Sequence, residues 1–288
     1  MALNYQKVMS LPLPEVRHRY TEKDTMLYAL GVGVAQEDAT DPAELRFCFE
    51  RDLQALPTLA AVLGSDDDGS WAAESGIDFV RMLHGGQSLT VHRPLPASGE
   101  VLVTTTVDEI YDKGVAKGAI IVMTRSLRDA ASGELWATTS MTAMLRGDGG
   151  CGGNPGSGPA PHPVPERAAD HRVEVATRQD QALLYRLNGD FNPLHSDPAF
   201  AAMAGFERPI LHGLCTYGIA CRQLIRQLCG NDAARVTRLD ARFSAPVMPG
   251  DRLLIEIWND APGQAGFRCS VPARGVLALN NGLFCYRV

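Results

Sequence analysis

The stretch Gly-Asp-Gly-Gly-Cys-Gly-Gly-Asn-Pro-Gly-Ser-Gly-Pro-Ala-Pro-His-Pro-Val-Pro at positions 147–165 limits what this chain can fold into more than any other feature. Proline lacks an amide donor and glycine is costly to order, so neither a helix nor a strand ladder is expected there. The stretch reads as a partly extended linker. It divides the 288 residues into a unit at 1–146 and a unit at 166–288, each large enough for a core of its own. A linker with few contacts should also tolerate deletion of residues 151–160.

The two units echo each other. Thr21-Glu-Lys-Asp-Thr-Met-Leu-Tyr28-Ala-Leu-Gly31 is similar to Thr177-Arg-Gln-Asp-Gln-Ala-Leu-Leu-Tyr185-Arg-Leu-Asn-Gly189, with single insertions before the Tyr and before the Gly. In each, a Thr is placed to N-cap a short helix. A second echo pairs the Pro-rich turn from His92 to Gly99 with that from Arg242 to Gly250, and each turn feeds an aliphatic strand. Two echoes in the same order point to an internal duplication. Strand patterns follow at 100–110, 117–128 and 134–145, and again at 251–258, 266–273 and 276–287. The segment from His212 to Cys229 is almost wholly apolar or small in its first part, which suits a helix buried on most sides, with Gly230 as its stop. One buried helix followed by antiparallel strands is an α+β arrangement with the sheet wrapped around the helix.

Bulk properties exclude several classes of partner. Net charge is −6, so no general basic field invites nucleic acid or an anionic membrane. No apolar run is long enough to span a bilayer, and the N-terminal residues lack the apolar core of a signal peptide. The seven cysteines form no CxxC and are odd in number, as expected for reduced thiols in a cytoplasmic protein.

The segment that carries chemistry is Tyr185-Arg-Leu-Asn-Gly-Asp190-Phe-Asn192-Pro-Leu-His195-Ser-Asp197-Pro198. Gly189 and Pro193 bracket a turn, and Asp197 can N-cap a helix with Pro198 at its first position. A carboxylate, an amide and an imidazole are thereby held a few residues apart on one rigid loop. Such a set can hold a water and move protons near neutral pH. Downstream, Gly213 opens the expected buried helix, whose free N–H groups make an anion site.

These residues bring the family into view. The Asp-x-Asn-Pro-Leu-His segment resembles the hydratase 2 motif of the MaoC-like hydratases, and the stretch from Ala204 to Leu214 resembles that family's second signature. Tyr20-Thr-Glu-Lys-Asp, Leu83-His-Gly-Gly-Gln87 and Tyr111-Asp-Lys-Gly in the first unit are similar to the eukaryotic-type form. The resemblance implies a double hot-dog fold and a metal-free, cofactor-free interconversion of trans-2-enoyl-CoA and (3R)-3-hydroxyacyl-CoA. It further implies Asp190, Asn192 and His195 as the water-binding set and the Gly213 N–H as the oxyanion donor. The first unit continues Gly31-Val-Gly-Val-Ala-Gln-Glu37 and has no such pair, so it is expected to serve architecture and acyl-chain room. Leu56 to Leu63 is the better candidate lining there, the loop from Gly64 to Ser70 being too polar. The partner is an acyl-CoA thioester, and a homodimer is compatible with the sequence.

Competing readings remain at this point. The same pair could serve a dehydratase of carrier-protein thioesters or of a short, branched or dicarboxylic acyl-CoA, and a non-catalytic acyl-thioester binding protein is the alternative of a different class. A metal set of Asp190, His195, Asp197 and His212 is chemically conceivable but lacks helical His spacing. His212 is expected to cap or orient its helix, and His84 to be structural. Arg208, Arg222, Arg226, Lys113 and Lys117 are the candidates for CoA phosphates, against a default of solvated surface charge.

Overall fold

The computed structural model describes residues 3–65 and 70–288. Ten strands form one sheet: β1 (Val16–Tyr20), β2 (Met82–Val91), β3 (Gly99–Asp112), β4 (Ala119–Asp129), β5 (Leu135–Leu145), β6 (His171–Ala176), β7 (Val236–Phe243), β8 (Arg252–Ala261), β9 (Gln264–Val271) and β10 (Val276–Tyr286). Their order is β1-β3-β4-β5-β2-β7-β10-β9-β8-β6, and every pairing is antiparallel. From either outer edge inward, each half runs first, third, fourth, fifth, second strand. That symmetry is the physical counterpart of the two sequence echoes. The halves join where β2 meets β7, from Gly86 opposite Arg242 to Thr90 opposite Arg238.

All six expected strands are present, within a few residues of their expected ends. Four others escaped the alternation pattern. β1 and β6 are short edge strands with charged, half-exposed residues. β2 carries the pair Gly85-Gly86 and a register shift between His84 and Gly86, while β7 alternates apolar residues with Arg and Asp. Thr21 does start a helix, Glu22–Gly31, with both its N–H and its hydroxyl donating to the Asp24 carboxylate. Thr177 does not. The second helix starts later, at Gln181, and the Thr177 hydroxyl instead ties the β7–β8 turn by donating to Asp251 O and accepting from Gly250 N–H.

The core sits under the sheet's inner face around the helix Gly213–Leu228, here called the central helix, which is buried from Cys215 to Ile225. A helix enclosed on all sides needs apolar or internally paired residues throughout. Arg222 is therefore paired: its Nη1 donates to Glu44 Oε2 at 2.8 Å and to Gly33 O at 2.7 Å. The Glu44 carboxylate also accepts from the Ala35 N–H. This contact docks the 33–44 segment of the first half on the central helix. In the first half no comparable helix precedes β2 among the described residues. Leu56 to Leu63 is instead a buried turn of 3-10 helix around Pro57–Ala61, packed against the central helix, and helix Ser70–Ser75 follows. Residues 66–69 of the polar loop lie outside the described residues. No helix of the described residues is long and apolar enough to cross a membrane.

The Gly/Pro-rich stretch forms no helix and only one isolated bridge, Tyr111 to Asn154, yet it is far from free of contacts. β1 pairs with β3 only as far as Val103, leaving the rest of that edge open. Asn154 fills part of it, its N–H donating to Ile110 O and its carbonyl accepting from Asp112 N–H at 2.9 and 2.8 Å. The Asp112 carboxylate collects the N–H groups of Gly150 and Gly152, and Asn154 Nδ2 donates to Glu109. Backbone groups left unpaired cost about 1–3 kcal/mol each where buried. Removal of residues 151–160 is thus expected to lower the melting temperature by several degrees, the reverse of the expectation from composition. An unshifted melt would show these contacts to be incidental.

Candidate active site

Each functional side chain is set by a local rule. Helix Gln181–Tyr185 runs into a 3-10 turn, Arg186–Asn188, which stops at Gly189 with φ of 110°. Only glycine takes that backbone at little cost, and it turns the chain so that Asp190 leaves the helix axis. Asn192 then caps a second 3-10 turn, Pro193–His195, accepting the Leu194 N–H at 3.0 Å. Asp197 caps helix Pro198–Met203 through the N–H groups of Ala199 and Phe200. Caps at both ends make the Asp190–His195 bend rigid.

The bend meets the start of the central helix. Side-chain donor atoms of Asp190, His195 and His212 lie within 4.8 Å of one another. His195 is buried, and its Nδ1 lies 2.9 Å from Ile210 O, where it can only donate, leaving the Nε2 lone pair free. Burial lowers the His195 pKa below its usual 6.5, so the ring is neutral and able to accept a proton. His212 Nε2 donates to the Asp190 backbone carbonyl at 3.2 Å, and the His195 and His212 rings stack with centroids 3.7 Å apart. Asp197, the fourth member of the conceivable metal set, is spent on its cap.

Asn192 is exposed, its side-chain oxygen is turned to Leu194, and its own N–H donates to Asp190 Oδ1 at 3.2 Å. Its visible work is to shape the bend, with Nδ2 left for a water. Gly213 is the first residue of the central helix; the first amides to reach back are those of Cys215 and Thr216, both to His212 O. The Gly213 N–H is thus an open donor at the positive end of the dipole. A Cβ at this position would meet the Phe243 ring at 3.3 Å.

The first half contributes what the sequence did not disclose. Phe243 lies edge-on to His84 of β2, with centroids 4.6 Å apart, and His84 feels the Asp190 charge. Burial lowers the His84 pKa to about 4. On the other side Tyr28 packs on Tyr185, and Tyr185 packs on His212 with centroids 6.0 and 4.9 Å apart. The two echoed tyrosines therefore touch each other behind the site. Among the CoA-phosphate candidates, Arg222 is removed by its buried pair with Glu44, and Lys113 donates to Gly156 O. Arg208, Arg226 and Lys117 stay exposed, and only Arg208 belongs to the segment between the bend and the central helix.

A mirrored ten-stranded sheet around one helix, with a carboxylate–imidazole bend at that helix's start, defines a double hot-dog protein. Residues 18–147 match the model of the MFE-2 hydratase 2 N-terminal domain, and residues 161–279 that of the MaoC like domain. The chain is 47% identical to 3-hydroxyacyl-thioester dehydratase Y of Mycobacterium tuberculosis, over 88% of this chain and 86% of that one. It is 38% identical to the peroxisomal enoyl-CoA hydratase 2 of Arabidopsis thaliana, over 88% and 87% of the two chains. A crystal structure of a MaoC-like dehydratase from Phytophthora capsici superposes with a TM-score of 0.86 at 33% identity, covering 98% of both chains. The chain belongs to the MaoC-like hydratase 2 family, and it is an enzyme of the hydro-lyase class.

Proposed function

We propose that the protein interconverts trans-2-enoyl-CoA and (3R)-3-hydroxyacyl-CoA at the bend formed by Asp190 and His195. The observation that carries this reading is the proximity of those two side chains beside the open start of the central helix. Water held between them loses a proton to His195 Nε2 as its oxygen bonds to C3. The π electrons move toward the thioester oxygen, where the Gly213 N–H stabilises the developing charge; one such donor is typically worth ~3–4 kcal/mol. The pair then returns one proton to C2, so that water is added whole. Asp190 keeps a negative charge beside the transient imidazolium. Asn192 has its Nδ2 to offer the water, and the exposed Arg208 is the cation best placed in sequence for a CoA phosphate. Residues 1–146 act as the dyad-less unit and 166–288 as the catalytic one, with Leu56 to Leu63 toward the acyl chain. Seven free cysteines suit a reducing, cytoplasmic setting, and pairing of two chains belongs to the same reading.

The test is hydration of crotonyl-CoA and a long-chain trans-2-enoyl-CoA, with product configuration read by an (R)-specific dehydrogenase. Carrier-protein thioesters run in parallel decide the carrier. Absence of turnover on every thioester would leave a binding protein. The pH dependence has a definite sign: His195 must be neutral to accept the proton, and its pKa is lowered. Hydration kcat/KM should therefore stay flat from neutrality down past 6.5 and fall tenfold per pH unit only below that. An acid limb starting above 6.5 contradicts this role.

A further inference from the structure

We propose that His212 is a positioning residue that clamps the Asp190–His195 pair from behind, using its Nε2–H on the Asp190 carbonyl and its ring face on His195. The inference deepens the reading above and rests on it. His212 occupies the N-cap position of the central helix, yet its side chain makes no capping bond. A polar residue at that position ordinarily satisfies the helix's own first amides. Here the ring reaches instead to residue 190, which is 22 positions earlier in the chain. One edge holds the backbone that carries the carboxylate, and one face sets the plane of the second imidazole. Tyr185 also packs against the ring, tilted by 52° with centroids 4.9 Å apart.

The groups that face His212 are His195, Asp190, Tyr185 and Arg186. Burial and the neighbouring His195 lower its pKa to about 4, against the attraction of Asp190. The ring is therefore neutral, and donation to the Asp190 carbonyl fixes the proton on Nε2. Its Nδ1 is buried without a partner, a cost in desolvation that a purely space-filling role would have avoided with a leucine. Glutamine can place a donor near the Nε2 position but cannot stack; phenylalanine can stack but cannot donate.

The experiment separates the two contacts. His212→Gln and His212→Phe are compared with wild type for kcat, KM, melting temperature and histidine ¹⁵N tautomer spectra. Each is expected to lose about ten- to a hundredfold in kcat with KM within threefold, since small misplacements of reacting groups cost rate rather than binding. His195 should cease to be a single Nδ1–H tautomer in both. Loss of fold alone would leave kcat per folded molecule unchanged, which is why the melt is measured alongside. Wild-type protein supplies a check free of mutation: His212 must be the Nε2–H tautomer and must not protonate above pH 5.5. A His212 resonance titrating near 6.5, or both variants within threefold of wild-type kcat, overturns the proposal. Should Asp190→Asn and His195→Gln themselves keep normal turnover, the hydratase site has failed first; if they lose it while the His212 variants do not, only the clamp has failed.

Discussion

Asp190→Asn and His195→Gln are each expected to reduce kcat for enoyl-CoA hydration by about 10²–10⁴-fold, the usual worth of a positioned acid–base group. That is roughly 3–5 kcal/mol of transition-state stabilisation. The amide of Asn keeps the shape of the carboxylate, including an oxygen for the Asn192 N–H, but cannot hold a negative charge beside an imidazolium. The amide of Gln can reach toward Ile210 O but has no lone pair able to take a proton from water. Asp190 is half-buried on its bend and Gln at 195 can keep a donor toward Ile210 O, so the melting temperature should move little. Combining both substitutions should cost far less than the product of the single losses, because the two groups act on one water. Near-normal turnover by either variant, with the fold intact, removes the pair from the chemistry.

The largest effect on stability is expected from Arg222→Leu, which leaves the Glu44 carboxylate inside the core with the Ala35 N–H as its remaining partner. Side chains at both ends of this ion pair are about 95% buried, 4% and 6% exposed, so water cannot take over. Breaking one side of such a pair costs about 3–5 kcal/mol, mainly the penalty of the charge left behind. For a chain of this size that is on the order of 10 °C in Tm. The double variant Arg222→Met with Glu44→Leu should regain much of the loss, since the pair as a whole competes with an apolar filling of similar volume. Urea midpoints of the three proteins decide the matter. A single variant within about 1 kcal/mol of wild type would mean that the pair is hydrated in solution.

These two predictions differ in how visible their residues were beforehand. Asp190 and His195 stand five positions apart in one motif, and the caps that shape their bend, Asn192 and Asp197, are local contacts between near neighbours in sequence. Arg222 and Glu44 are 178 residues apart. Nothing in the helix pattern marked Arg222 as an interior ion, and its charge type suggested a phosphate ligand until its partner came into view. His84, Phe243 and Tyr28 were hidden for the same reason. His84 and Tyr28 reach the site across the junction of the halves, and Phe243 of β7 meets His84 there; no local pattern records such meetings. Thr177 shows the limit of the echo itself, since an identical residue at the matching place caps nothing and braces a turn.

The sequence by itself determined the duplication, the six strands with strong alternation, the buried helix and the bend that bears Asp190 and His195. All of these depend on periodicity, turn chemistry and capping, which act over a few residues. Tertiary structure alone decided that β2 and β7 join the halves, that the Gly/Pro-rich stretch seals part of the β3 edge, and that His212 stacks on His195. Those outcomes arise from hydrogen-bonding groups and side chains far apart in the chain, whose need for partners is satisfied only when the sheet closes around its helix.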